Sequence, residues 1–206
     1  MTASAQRALF ASAAEAFAEL VRRIPEHRWD GPGLGEWSVR DLVGHTSRSL
    51  ITVSTYLKAP AQREDVTSAA DYYVAIQSYT ANAGAAAIVE RGRQAGRDLG
   101  AEPVAAIDGL VTQALADVDA AGDPLIEVIG GMGMRLSNYL PTRVFELAVH
   151  SLDIAAALDL DVTPPEEVLA EAAALAARIG ARLGHGSAVL LSLTGRRALV
   201  SGFSVV

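Results

Sequence analysis

The sequence predicts a mainly α-helical protein, an antiparallel helical bundle with a small C-terminal attachment. Apolar residues recur at three-to-four spacing along most of the chain, and Gly/Pro clusters separate these segments. With 206 residues, half of them apolar, the chain is long enough for one compact domain with a real core. We assign the bundle to residues 1–160 and a short helix plus a β-hairpin-like extension to residues 161–206.

The N-terminal half of the chain contains three helical patterns. The first runs from about residue 4 to Ile24 and ends at Pro25. The second begins at Ser38, where Asp41 three residues later resembles a capping box, and continues to about Leu57. The third is Ala-rich and covers residues 68 to 97. These patterns supply most of the expected bundle.

The C-terminal half alternates helices with short β-like segments. Helices are predicted over residues 101–120, 137–159 and 165–183, with Pro103 near the first turn of the earliest. Residues 122–134 are expected to have turns at both ends and a short β-like or irregular middle. The segments "SAVLLSLTG" and "RALVSGFSVV" indicate short strands around a turn at Gly195.

Composition excludes several classes of function. The formal charge is −7 and no basic stripe is present, so we expect no nucleic-acid binding. No stretch of about 20 uncharged apolar residues exists, and Glu15 and Glu19 interrupt the N-terminal segment, which therefore indicates a mature helix. We expect a cytoplasmic protein without membrane contact. Because cysteine is absent, disulfides, thiolate metal sites and a catalytic cysteine are excluded.

Four ionisable residues interrupt the apolar segment "RVFELAVHSLDIAAAL". Arg143, Glu146, His150 and Asp153 are spaced by 3, 4 and 3 residues, so they form one stripe on a helix. The neighbouring side chains are apolar on several sides, which is typical of a buried helix. A polar stripe on such a helix is expected to face a cavity or polar partners.

The spacing of Glu146 and His150 places two metal ligands on adjacent turns of this helix. A third ligand has to come from another helix, and His45, two turns into the second helix, completes a three-ligand set. Imidazole and carboxylate donors suit Zn²⁺, Ni²⁺, Mn²⁺ or Fe²⁺. His27 and His185 lie near a helix end and in a turn and are not assigned to the site. On spacing alone, a packed boundary histidine is an equally good interpretation of His45.

Two longer segments carry a family resemblance. "GEWSVRDLVGHTSR" and "YLPTRVFELAVHSLDIAAALDL" resemble the two signatures of the mycothiol-dependent maleylpyruvate isomerase family, within the DinB-like metalloenzyme superfamily. The tail "LTGRRALVSGFSVV" also resembles the end of many members. The resemblance implies a DinB-like four-helix bundle and a divalent metal, usually zinc, held by His45, Glu146 and His150.

The three-ligand set and the resemblance together lead to a hypothesis about the chemistry. Mycothiol would occupy an open metal position, and its activated thiol would attack a small electrophilic substrate, as in an isomerase or an S-transferase. No protein group beyond the ligands is assigned to catalysis. Asp153 is a candidate for orienting a ligand imidazole, and Arg48 and Arg143 are candidates for holding a carboxylate of substrate or thiol. DinB-like proteins are often homodimers, which the Ala-rich surface permits.

Other interpretations stay open at this point. The protein could be a non-catalytic metal-binding module of the stress-response or sensor type, or a metal-dependent hydrolase with water in the open position. Arg143 and Arg48 could form ion pairs with Glu146 or Asp41 instead of binding substrate, and Asp153 could have a surface or capping role on its helix. Trp37 is interpreted as a packing anchor at the start of the second helix.

Overall fold

A computed structural model describes residues 2–206, and the side chains of all of these except 78–83 and 85. The described chain is mainly helical with one small antiparallel sheet, which confirms the predicted fold class at that level. Its elements are α1 (Ala3–Arg22), α2 (Val39–Tyr56), α3 (Ala69–Ala83), α4 (Ala85–Asp98), α5 (Pro103–Ala120), β1 (Leu125–Val128), β2 (Met132–Arg135), α6 (Leu136–Leu158), α7 (Glu166–Arg182) and α8 (Gly186–Leu193).

Helices α1, α2, α5 and α6 contribute a large part of the core, to which α3, α7 and the β-hairpin also add buried residues. Helices α1 and α2 each contact both α5 and α6. Residues at three-to-four spacing, such as Phe10 and Phe17 of α1 and Leu42 of α2, are completely buried there. The contact between α2 and α6 positions the candidate site, because it brings two separate polar segments of the sequence to one place.

The start of α2 is fixed by local chemistry, as predicted. The Ser38 hydroxyl accepts a hydrogen bond from the Asp41 backbone N–H at 3.1 Å. In return, the Asp41 carboxylate accepts one from the Ser38 backbone N–H at 3.0 Å. This capping box satisfies two backbone donors that the first helical turn leaves without partners, and it sets the register of the residues that follow.

The single helix predicted over residues 68–97 is wrong, because the chain forms two helices. Gly84 separates α3 from α4 and has a φ of +75°, a backbone conformation that strongly favours glycine. The break lets α3 pack against α6 and α7 while α4 packs against α2. One continuous helix of about 30 residues would extend roughly 45 Å along one direction and could not follow both surfaces.

The β-like segment predicted over residues 122–134 forms a hairpin. Strands β1 and β2 pair antiparallel, with Leu125 opposite Arg135. Gly130 and Gly131 both have positive φ in the connection between the strands. Pro60 forms an isolated bridge with Ile126, so the chain between α2 and α3 packs along this hairpin.

The C-terminal strands predicted from the sequence are not formed. The segment "SAVLLSLTG" is largely helix α8, and in the described part of the chain no strand follows Arg135. A short apolar run does not by itself distinguish a strand from a helix. Here α8 packs on α7 and satisfies its backbone hydrogen bonds internally. Because α7 also contacts α1, α3 and α6, the division of the chain at residue 160 stays a prediction.

The lengths and compositions of the helices bear on membrane contact. Among the described residues, no helix combines the length and apolar character needed to cross a bilayer.

Candidate metal centre

Helix α6 supplies two adjacent candidate ligands. The Nε2 atom of His150 lies 3.3 Å from the Oε2 atom of Glu146, and the two side chains are 15% and 25% exposed. Ligands arranged tetrahedrally at about 2.1 Å from an ion are roughly 3.4 Å apart. The pair therefore already has the spacing that two ligands of one metal ion require.

Helix α2 brings His45 to the same place. Each of His45, Glu146 and His150 offers one ligand atom, and these atoms lie within 4.8 Å of one another. The two imidazole rings are 5.0 Å apart and nearly perpendicular, at 83°. The three side chains selected from sequence spacing thus converge from two helices.

The donor set fits a divalent metal. The Nδ1 atom of His45 is buried and has no hydrogen-bonding partner among the described residues. A buried polar atom without a partner is costly, and a coordinated ion would stabilise the cluster. Two imidazoles and one carboxylate match zinc sites in which a position is left for a further ligand.

Asp153 lies one turn beyond His150 and contacts it. Its Oδ2 atom is 3.0 Å from His150 Nδ1. When Nδ1 carries the hydrogen that is donated to Asp153, the lone pair of Nε2 is directed towards Glu146 and His45. The geometry therefore matches the orienting role considered for Asp153 from the sequence.

Tyr73 of α3 is a site residue that the sequence did not reveal. Its hydroxyl donates to Glu146 Oε1 at 2.7 Å, so the other carboxylate oxygen remains available to the two histidines. Burial, followed by the negative charge of Glu146, raises the pKa of Tyr73 well above its ordinary value, and the hydroxyl stays protonated. No local pattern links α3 to α6, because the contact exists only in the folded chain.

We expect Tyr73→Phe to weaken zinc binding by about tenfold, because loss of an outer hydrogen bond to a ligand typically costs 10–100-fold in affinity. Competition with a chromophoric chelator measures this change. Tyr72→Phe is the matched control, since its ring packs against Tyr73 and the Tyr139 ring without a described hydrogen bond to Glu146. Equal zinc affinity of Tyr73→Phe and the wild type would exclude this role.

In the metal-free protein, the surroundings of the two histidines shift their pKa values in opposite directions. Burial and the nearby positive charge of His150 lower the pKa of His45 to about 4. Burial opposes the charged form of His150 as well, but hydrogen bonds to Asp153 and Glu146 outweigh it and raise its pKa to about 9. Burial also opposes the charge of Glu146, yet the hydrogen bond from His150 and the charge of Arg143 lower its pKa to about 2.

These pKa values predict the pH dependence of metal binding. At neutral pH His45 is neutral, Glu146 is ionised and His150 carries one proton that a metal ion has to displace. Zinc affinity should therefore rise about tenfold per pH unit between pH 6 and pH 8. Affinity measured by chelator competition across this range tests the expectation. A zinc affinity that did not change with pH would contradict it. So would an affinity that rose about 100-fold per pH unit, because that slope means that two protons are released on binding.

The two arginines assigned to substrate lie in different surroundings. Arg143 is 9% exposed, and its guanidinium lies 4.9 Å from the centre of the Tyr139 ring. Its Nε atom donates to Thr142 Oγ1 at 3.0 Å. The alternative ion pair with Glu146 is not formed within 4.0 Å among the described side chains. Arg48 is exposed on α2, and its charge contributes to the lowered pKa of His45.

A separate cavity lies on another side of α6. It has a volume of about 470 Å³ and is formed between α1, α3, α6 and α7. Val144 and Leu175 contribute apolar walls, and Arg178 also lines the cavity. None of the three candidate ligands lines it, so it is not part of the candidate metal centre.

Comparison with known proteins places the chain in a family. The family model described as the mycothiol maleylpyruvate isomerase N-terminal domain matches residues 10–155, a span that includes all three candidate ligands. Neither the curated proteins nor the solved structures contain a significant match to the chain. The family match covers well over half of the sequence. The chain therefore belongs to the family of mycothiol maleylpyruvate isomerase N-terminal domains.

Proposed function

We propose that the protein is a divalent-metal-dependent, mycothiol-using isomerase or S-transferase acting on a small electrophilic substrate. The observation that carries this proposal is the convergence of His45, Glu146 and His150 from two helices in a chain of this family. The family description couples mycothiol with maleylpyruvate isomerisation. Because one fold supports several activities, the site supports a metal-dependent reaction more strongly than any named substrate.

We assign the metal to His45, Glu146 and His150, with zinc the first candidate and nickel, manganese or iron also compatible with the donors. A metal held by these residues would supply Lewis-acid activation, which would lower the pKa of a thiol that binds to it. Three protein ligands leave room for at least one outside ligand. The chain has no cysteine, so the reacting thiol has to come from another molecule.

The remaining site residues are assigned to orientation and charge. Asp153 holds the Nδ1 hydrogen of His150, and Tyr73 holds one oxygen of Glu146. Arg48 and Arg143 provide positive charge near the ligands for a carboxylate of the thiol or the substrate. Arg143 is well suited to a fixed position, because tyrosine rings pack against its guanidinium.

We also propose that α1, α2, α5 and α6 form the antiparallel four-helix bundle of DinB-like proteins. Support comes from the contacts of α1 and α2 with both α5 and α6. In this arrangement the ligands come from facing helices of the core, which is how helical bundles commonly build metal sites.

The decisive experiment is turnover with and without thiol. Zinc-loaded protein is incubated with maleylpyruvate, or with a chlorodinitrobenzene, in the presence and absence of mycothiol. We expect turnover only when the metal and the thiol are both present. An isomerase leaves the free thiol concentration unchanged, whereas an S-transferase consumes one thiol per product. His27→Ala serves as the active control because His27 is exposed and outside the site.

Two results would overturn the proposal. Equal turnover without thiol would favour a metal-dependent hydrolase. Full metal binding without turnover of either substrate would favour a non-catalytic metal-binding module.

A further inference from the structure

We propose that Trp37 is a positioning residue that holds the ring of His45 in its ligand orientation, and that α4 in turn fixes Trp37. The inference rests on the metal site proposed above. It makes α4, which contributes none of the three ligands, a determinant of metal affinity.

His45 differs from the other two ligands in how it is held. Glu146 is held by the Tyr73 hydroxyl and His150 by Asp153. By contrast, no described residue forms a hydrogen bond with either ring nitrogen of His45. The Trp37 ring lies 4.5 Å from the His45 ring at an angle of 31°. Packing against the Trp37 ring therefore orients His45, as hydrogen bonds orient the other two ligands.

Helix α4 also contacts the Trp37 ring and restricts its position. The indole N–H donates to the backbone carbonyl of Val89 at 3.0 Å. Gly92, one turn later, leaves the space that the ring fills. A Cβ atom at Gly92 would lie 2.5 Å from the ring atoms Cε2 and Nε1 of Trp37. The indole thus contacts both α4 and His45.

A close crossing of glycines brings α4 near enough for this contact. A Cβ atom at Gly44 of α2 would overlap the backbone N of Gly96 and would lie 2.6 Å from the carbonyl oxygen of Ala95. Gly44 directly precedes His45 in the chain. The position of α4 therefore influences the orientation of His45 through Trp37. As a consequence, metal binding and the packing of α4 on α2 are thermodynamically coupled.

The remote variant Gly92→Ala tests this directly, because Gly92 contacts no ligand and the indole ring has to move to admit the new methyl group. We expect its zinc affinity, measured by chelator competition, to fall about 10–100-fold, as for loss of other supports of a metal ligand. Gly109→Ala in α5 is the matched control, since a Cβ atom there meets nothing within 4 Å. Equal affinities of both variants and the wild type would overturn the inference.

Substitutions of Trp37 itself provide a second test that does not depend on Gly92→Ala folding correctly. Trp37→Leu removes the ring and should lose about the same affinity as Gly92→Ala. Trp37→Phe keeps an aromatic ring beside His45 and should recover most of it. If the Leu and Phe variants bound zinc equally well, ring packing would not be the cause.

Fluorescence provides an independent readout of the contact between Trp37 and the metal ligand His45. In Trp29→Phe, Trp37 is the one remaining tryptophan, because the chain contains two. Its emission should change on zinc titration and saturate at one equivalent. Trp37→Phe, which retains Trp29, should show no such change. A constant Trp37 signal during stoichiometric zinc binding would contradict the inference.

The two proposals fail in different ways. If the wild-type protein bound no zinc, the proposed function would fail. If the wild type bound zinc and Gly92→Ala and Trp37→Leu bound it equally tightly, only the role of Trp37 and α4 would be wrong.

Discussion

Replacing His150 by alanine is expected to reduce the bound zinc of the saturated protein from about one ion per chain to less than about one tenth. His150 supplies one of three ligands, and its Nε2 atom is 3.3 Å from Glu146. Loss of a residue that hydrogen-bonds to a metal ligand typically lowers metal affinity about 10–100-fold. Loss of a ligand itself should therefore lower zinc affinity at least about 100-fold. Elemental analysis after gel filtration measures the metal content.

The fold of His150→Ala should be retained. Alanine has the highest helix propensity, and the partners that lose a contact, Glu146 and Asp153, are 25% and 27% exposed and can be hydrated. Circular dichroism and thermal unfolding test this part of the expectation. His27→Ala and His185→Ala alter exposed histidines and should keep full metal content. Retention of zinc by His150→Ala, or its loss from His185→Ala, would show that the ligand assignment is wrong.

Gly44→Ala is expected to lower the free energy of unfolding by about 3 kcal/mol, a large effect for one methyl group. The new Cβ atom would meet the backbone of Gly96 and Ala95 in α4. Backbone atoms cannot rotate away as side-chain ends do, so the two helices have to separate. Urea unfolding of the metal-free protein measures the change.

Gly109→Ala is the matched control for the same chemical change. It lies within α5, where a Cβ atom meets nothing within 4 Å. Removing a flexible glycine from a helix interior should raise the free energy of unfolding by about 0.5–1 kcal/mol. The two variants should therefore differ in sign. A Gly44→Ala protein as stable as the wild type would contradict the close crossing of α2 and α4.

Elements with strong local signals could be predicted from the sequence. Ser38 and Asp41 define the start of α2 through side-chain hydrogen bonds to nearby backbone groups, so three residues of sequence contain the information. The turn of the hairpin likewise depends on adjacent glycines. In both cases the interactions that fix the structure are local.

The incorrect predictions of secondary structure concern segments whose local sequence signals are ambiguous. Gly84 lies within an Ala-rich segment, and a lone glycine does not reveal whether a helix continues or breaks. Tertiary packing decides, because α3 and α4 contact different helices. The apolar residues of α8 similarly suit a strand or a helix, and contact with α7 accompanies the helical form.

The candidate site was only partly predictable for the same reason. Glu146, His150 and Asp153 share one helix face, so their proximity follows from helical periodicity. Assigning His45 to the same site required a further prediction, that the polar segments of α2 and α6 meet in the helical core. Tyr73 and Gly92 carry no such signal, since their contacts with Glu146 and Trp37 join residues far apart in the chain.

The most direct test of the metal centre is anomalous diffraction from crystals of the zinc-loaded protein, recorded on both sides of the zinc absorption edge. We expect one strong peak per chain, about 2.0–2.2 Å from a ring nitrogen of His45, a ring nitrogen of His150 and a carboxylate oxygen of Glu146. A fully zinc-loaded protein whose anomalous peak lay elsewhere, or a protein that bound no zinc, would contradict the account.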